Sequence, residues 1–163
     1  MKKILSILGS TGSIGKSTLN IVDKKKNNFK INYFTANRNF KLICKQIVKY
    51  KPKIFIISDK IIFKKVKKKF KNKKILILNS FSTRDIKTSD ITVSAIPGIA
   101  GLEPTLLAIK KTKKILIANK ESIICGWKLI FNYASRFNTK IIPIDSEHFS
   151  INKLIEKENI NLI

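Results

Sequence analysis

Residues 4–22 read Ile-Leu-Ser-Ile-Leu-Gly-Ser-Thr-Gly-Ser-Ile-Gly-Lys-Ser-Thr-Leu-Asn-Ile-Val. The apolar run Ile4 to Leu8 predicts a strand, and Leu19, Ile21 and Val22 fall on a helical pattern. Between them lies Gly9-Ser-Thr-Gly-Ser-Ile-Gly15. Strand, glycine turn and helix is the layout in which backbone N–H groups and a helix N-terminus hold a phosphate. Glycines at 9, 12 and 15 permit a tight turn, close approach of the backbone to a pyrophosphate, and close packing of the helix on its strand. The stretch is therefore expected to be the diphosphate site of a dinucleotide. Two alternatives stay open. A glycine turn can be a plain connection, and Ser10 to Ser17 is one residue short of the G-x-x-x-x-G-K-S loop of nucleotide triphosphatases, with Ser10 where the first glycine belongs.

Outward from this stretch, short Ile-rich runs recur at 31–34, 54–57, 75–78, 91–96, 115–118 and 141–144. Segments with helical spacing separate several of them, such as Phe40, Ile43 and Ile47, then Leu102, Leu106 and Ile109, then Ile123, Ile130 and Tyr133. Continuous apolar strands alternating with amphipathic helices imply a parallel sheet covered on both faces. The expected fold class is α/β, a doubly wound parallel sheet of the Rossmann-like, NADP-binding kind. A helix over 146–158 and a strand from Asn159 are expected to follow, and a parallel strand at Ile163 suggests that more chain followed in a longer ancestor.

At 163 residues and 44% hydrophobic the chain can bury one good core, and it holds no apolar run of transmembrane length. Cys44 and Cys125 are too few and too distant for a disulfide framework; both are expected to be small buried hydrophobes, in a cytoplasmic protein. The formal net charge of +24 would suggest a polyanion partner. Yet Lys and Ile number 31 each and Asn 14, while arginine occurs only at 38, 84 and 136. Base readout leans on arginine forks. Lysine spread along the whole chain points to compositional drift, so neither a specific nucleic-acid partner nor a membrane is expected. Lys64 to Lys74, with eight lysines and only Val66 and Phe70 apolar, reads as a solvated helix end.

Polar clusters follow several predicted strands: Gly9 to Gly15, Asn37-Arg38-Asn39, Pro97 to Gly101, Asn119-Lys120-Glu121 and Asp145-Ser146-Glu147-His148. In an open parallel sheet such segments share one rim, where ligands bind. After the second strand there is no acid for ribose hydroxyls but there is Arg38, whose guanidinium can pair with a 2′-phosphate; this favours NADPH over NADH unless Arg38 is merely a surface cation. Asn119 suits an N-cap and Glu121 a first helical turn, whereas Lys120 gains from neither and is better placed beside an anion. Asp145 and Glu147 leave an extended chain on the same side, and such an all-oxygen pair favours Mg2+ or Mn2+ over zinc. A helix start, with Asp145 as its cap, is an equal alternative for that pair.

Gly9 to Gly15, Gly98-Ile-Ala-Gly-Leu102 with Pro104-Thr105, Ala118-Asn-Lys-Glu-Ser122 and Pro143-Ile-Asp-Ser-Glu-His148 together resemble the 1-deoxy-D-xylulose 5-phosphate reductoisomerase family of the non-mevalonate isoprenoid pathway, in order and in separation. The resemblance implies a metal- and NADPH-dependent oxidoreductase that rearranges a deoxyxylulose phosphate and reduces it to methylerythritol phosphate. It implies NADPH contacts at Thr11, Gly12, Ser13, Ile14, Asn37, Arg38, Asn39, Asn119 and Glu121. It implies phosphosugar contacts at Lys120, Ser146 and Glu147, with Lys120 and Glu147 catalytic, and a divalent ion at Asp145 and Glu147. Residues 1–144 would form the NADP-binding domain and 145–163 the beginning of a catalytic domain. Family members are homodimers and continue into a substrate loop, a mobile lid and a C-terminal helical domain. The 163 residues alone are accordingly expected to bind NADPH at best and to turn over little substrate, or to act as a non-catalytic NADPH-binding remnant.

Overall fold

The computed structural model describes residues 1–82 and 84–144. Seven strands, β1 (Lys3–Leu8), β2 (Phe29–Ala36), β3 (Ile54–Ile57), β4 (Leu76–Leu78), β5 (Ser89–Ser94), β6 (Thr112–Ile117) and β7 (Lys140–Pro143), form one sheet in the order β4-β3-β2-β1-β5-β6-β7. Every neighbouring pair is parallel. Five helices connect them: α1 (Ser13–Lys24), α2 (Phe40–Tyr50), α3 (Lys60–Lys69), α4 (Leu102–Ile109) and α5 (Lys120–Arg136). The doubly wound α/β expectation holds.

Parallel strands read as unbroken apolar runs because helices cover both of their faces. All four residues of β3 are buried for this reason. One face packs Leu5, Ile7, Phe34, Phe55 and Val93 against Leu19 and Val22 of α1, Ile43 and Ile47 of α2, and Val66 of α3. The other packs Leu8, Tyr33, Ile56, Ile115 and Ile117 against Ala108 and Ile109 of α4 and Ile123 and Ile130 of α5. Among the described residues no helix joins β4 to β5; Phe81 and Ile86 of that connection cover the second face instead, Phe81 meeting the Tyr33 ring edge-on at 5.5 Å.

The lysine-rich stretch divides as its spacing implied. Val66 and Phe70 are buried while the lysines between them stay in water, and Lys67, Lys68 and Lys69 fall in the last turn of α3, where cations suit the helix dipole. Two expectations need correction. Cys44 is buried, but Cys125 is exposed, because α5 turns it away from the sheet that Ile123 and Ile130 face. Strand β5 covers 89–94 rather than 91–96: its polar residues enter the sheet because they find partners. The Asp90 carboxylate accepts the Ile4 N–H of β1 at 2.8 Å, and Ser89 Oγ lies 2.7 Å from Ser6 Oγ. The helix and strand expected over 146–163 lie outside the described residues.

Candidate functional site

The chain leaves β1 towards β2 and later returns by β5 on the other flank of β1, so the segments after β1 and β5 diverge and a crevice opens between them. Gly9 closes its floor. Its φ of +78° is a left-handed conformation, and a Cβ there would lie 2.6 Å from the Ala95 carbonyl oxygen after β5. Gly15 is held as tightly, since a Cβ would collide with the Gly9 carbonyl and the Ser10 backbone. Gly12 differs: its φ is ordinary and the nearest atom to a Cβ would be at 3.4 Å, so the protein itself does not require glycine there. A bare backbone at this exposed position is what close approach by a ligand uses.

The first helix is set apart by its start. Asn39, Asp59 and Asn119 each cap α2, α3 and α5 with a side-chain oxygen, whereas α1 begins at Gly12 with no side-chain cap and no acidic residue in its first turn. First-turn N–H groups have no intrahelical partner, so those of Ser13 and Ile14 remain donors for an anion, and the positive end of the helix dipole adds to them. The triphosphatase alternative does not survive this geometry. Ser10 is fully buried, with its Oγ donating to Gln46 Oε1 at 2.7 Å, and Lys16 is exposed on α1.

Gly12, Ser13 and Ile14 form one wall of a cleft of about 400 Å3 whose other walls are Ala95, Ile96 and Pro97 after β5 and Ala118, Asn119, Lys120 and Glu121 after β6. Asn119 builds that wall. Its Oδ1 accepts the Ser122 N–H at 3.1 Å, and its Nδ2 donates to the carbonyls of Ile96 and Gly98 at 2.5 and 2.7 Å, tying the β5 and β6 rims together. With its amide so engaged, Asn119 has only its backbone to offer the cleft. Lys120 and Glu121 are exposed in the first turn of α5. A larger cleft of about 530 Å3 opens at the opposite rim, among Lys2, Lys26, Lys30, Lys51 and Lys53; its one carboxylate, Asp23, is engaged by Lys49 at 2.6 Å and by the Tyr50 hydroxyl at 3.0 Å, and it abuts the C-terminal ends of α1 and α2.

Thr11 lies in the glycine turn, and Asn37, Arg38 and Asn39 follow β2, the strand beside β1. The two rims are stitched together by Thr35, whose Oγ1 accepts the Gly9 N–H and whose carbonyl accepts the Ser10 N–H, both at 2.9 Å. Asn39 is spent as the α2 cap, through a Leu42 N–H bond of 3.1 Å, and Asn37 Oδ1 accepts from Ser58 Oγ at 3.2 Å. Arg38 is 82% exposed, with Nε 3.4 Å from Asp59 Oδ2. Asp59 is fixed in turn: the N–H groups of Ile62 and Ile61 on its Oδ1, and then Arg38, hold its carboxyl below the usual range. Asp145, Ser146 and Glu147 lie outside the described residues, as does His148, and no cluster of three metal-ligating side chains occurs among the described ones.

A family model of 1-deoxy-D-xylulose 5-phosphate reductoisomerase matches residues 5–126, three quarters of the chain with the whole glycine turn and the α5 start. This chain belongs to the 1-deoxy-D-xylulose 5-phosphate reductoisomerase family. It is 45% identical to the reductoisomerase of Pelagibacter ubique (strain HTCC1062), over 99% of this chain and 42% of that protein. It is 44% identical to that of Buchnera aphidicola subsp. Schizaphis graminum, over 96% and 41%. Among solved structures, the Zymomonas mobilis reductoisomerase in complex with NADPH superposes with a TM-score of 0.81 at 30% identity, covering 91% of this chain and 40% of that one. A reductoisomerase complex with NADPH, fosmidomycin and magnesium gives 0.82 at 33%, covering 90% and 37%. The chain thus spans about two fifths of the length of these relatives.

Within this reductoisomerase fold, Thr35, Gln46 and Asp59 hold the rim yet carry no recognisable motif. For Gln46 a signal was present: an uncharged amide on the buried stripe of α2, between Ile43 and Ile47, needs a buried partner.

Proposed function

We propose that these residues form the NADPH-binding part of a 1-deoxy-D-xylulose 5-phosphate reductoisomerase, where NADPH, when bound, would supply hydride for the reduction of a phosphosugar. The uncapped start of α1, facing Lys120 and Glu121 across one cleft, is the observation that carries this reading. Thr11, Ser13 and Ile14 would hold the diphosphate with backbone N–H groups, Gly12 would let it approach by lacking a Cβ, and Arg38 would bind the 2′-phosphate with the guanidinium edge that Asp59 leaves open. Asn37 and Asn39 would border the adenosine, and Asn119 and Glu121 the nicotinamide end. Lys120, a cation at a helix start where the dipole does not favour it, would bind the substrate's anionic oxygen, close to the transferred hydride.

The phosphosugar substrate is supported by the fosmidomycin and magnesium complexes of relatives. Ser146 and Glu147 would complete its site, Lys120 and Glu147 would be the catalytic residues, and Asp145 with Glu147 would hold Mg2+ or Mn2+; these three rest on the sequence motif alone. A domain boundary at 144/145, a homodimer and a cytoplasmic location belong to the same proposal. Isothermal titration of the purified chain tests its cofactor part: NADPH should bind more tightly than NADH, and ATP more weakly than either. Equal binding of NADPH and NADH would remove Arg38 from its role, and a preference for ATP would overturn the reading.

A further inference from the structure

We infer that Gln46 is a positioning residue for the diphosphate site, acting through the Ser10–Thr11 peptide; the inference rests on the NADPH reading above. Gln46 is 4% exposed on α2, and its amide grips Ser10 at two points. Its Oε1 accepts from Ser10 Oγ at 2.7 Å, and its Nε2 donates to the Ser10 carbonyl at 2.8 Å. This pairing fixes the orientation of the amide, because the flipped form would set two oxygens against each other. The Ser10 N–H is taken by the Thr35 carbonyl at 2.9 Å, so all three polar groups of Ser10 are turned into the protein.

The consequence lies in the next residue. The peptide between Ser10 and Thr11 is planar and trans, so its C=O and N–H point in opposite directions. With the carbonyl held by Gln46, the Thr11 N–H is aimed away from the Gln46 amide. The Gly12 N–H is occupied by the Gly9 carbonyl at 3.1 Å, which makes the direction of Thr11 decisive for the number of donors a diphosphate meets. The pair also has a structural part, since removing Gln46 leaves the buried Ser10 carbonyl without this donor. A loss of affinity common to ligands with and without a diphosphate reports that part, and a loss confined to the diphosphate-bearing ligand reports the setting of the peptide.

The test uses Gln46→Leu and Gln46→Glu in the purified chain, with affinities for NADP+ and for adenosine 2′-monophosphate measured by titration. The smaller ligand reaches the Arg38 end and lacks the diphosphate. For Gln46→Leu, NADP+ should bind on the order of tenfold more weakly, the worth of about one hydrogen bond to a charged group, while adenosine 2′-monophosphate changes less than about twofold. Gln46→Glu adds a pH profile. Its carboxyl, raised by burial and by the facing Ser10 carbonyl, can donate to that carbonyl only when protonated. The ratio of this variant's NADP+ affinity to that of the wild type should approach one at about pH 6 and fall as the pH rises; the ratio cancels the second ionisation of the 2′-phosphate, at about pH 6, which both proteins share. Should Gln46→Leu fail to fold, the pH profile of Gln46→Glu decides. Unchanged NADP+ affinity in both variants, or equal losses for both ligands, would overturn the inference while leaving the cofactor reading intact. Wild-type chain that binds adenosine 2′-monophosphate and NADP+ equally well, or neither, would overturn both.

Discussion

Asp59 and Arg38 divide their polar groups in a way that matters for cofactor choice. The carboxylate gives Oδ1 to the N–H groups of Ile61 and Ile62 and Oδ2 to Arg38 Nε. The outer edge of the guanidinium is left for a planar, two-point contact with a phosphate, which lysine could not reproduce. Arg38→Ala should therefore weaken NADPH binding on the order of tenfold and leave NADH within about twofold, as read by titration. The residue was legible in the sequence as a rare arginine after the second strand; its anchor was not, because Asp59 sits 21 residues away and is recognisable only once β2 and β3 are adjacent. Asp90 supplies a pH prediction. The Ile4 N–H, and then Lys113 at 2.8 Å, hold its carboxyl below the ordinary aspartate value. A carboxyl whose folded pKa is depressed contributes stability above its unfolded pKa, near 4, and loses it as the pH falls towards the folded value. Asp90→Asn should thus lower stability at pH 7 by about 1 kcal/mol, with the gap to wild type closing below about pH 4 in urea titrations.

At the scale of elements, apolar runs made the strands easy to find and the polar strand hard. β3 is four apolar residues and reads directly. β5 begins Ser-Asp, and hydrophobicity alone started it two residues late, since Ser89 and Asp90 enter the sheet through hydrogen bonds to β1 rather than through burial of carbon. α5 shows the reverse mismatch. Its buried residues Ile123, Ile130 and Ala134 join the core under the sheet and Gly126 meets Leu102 of α4, yet Ile124, Trp127 and Phe131 form a second apolar stripe in water, with the Trp127 and Phe131 rings 5.5 Å apart. Helical spacing alone does not say which stripe is core, and Cys125 was expected to be buried only because an unpaired cysteine behaves as a small hydrophobe. Trp127 is the single tryptophan and 53% exposed, so the fluorescence of the monomeric chain should be quenched efficiently by iodide. Emission shielded from iodide would mean that this stripe is covered.

For the whole molecule, sheet order converts separate motifs into one place. The glycine turn, the Arg38 segment and the Asn119 segment lie up to about a hundred residues apart in sequence, yet they follow β1, β2 and β6 on a single rim, and their order along that rim is set by the return of the chain at β5. This arrangement was legible because parallel connections place every strand end of one kind on the same side. The hydrogen bonds that hold the rims, through Thr35, Gln46 and Asn119, were not, because they pair residues whose proximity exists only in the folded sheet. The net charge of +24 sets a rival location for any anionic ligand, the lysine-lined cleft at the opposite rim. Amide chemical-shift mapping on addition of NADPH distinguishes the two most directly. Shifts should concentrate at residues 9–15, 37–39 and 118–121; shifts centred instead on Lys2, Lys26, Lys30, Lys51 and Lys53, or scattered over the lysine surface, would contradict a cofactor site at the glycine turn.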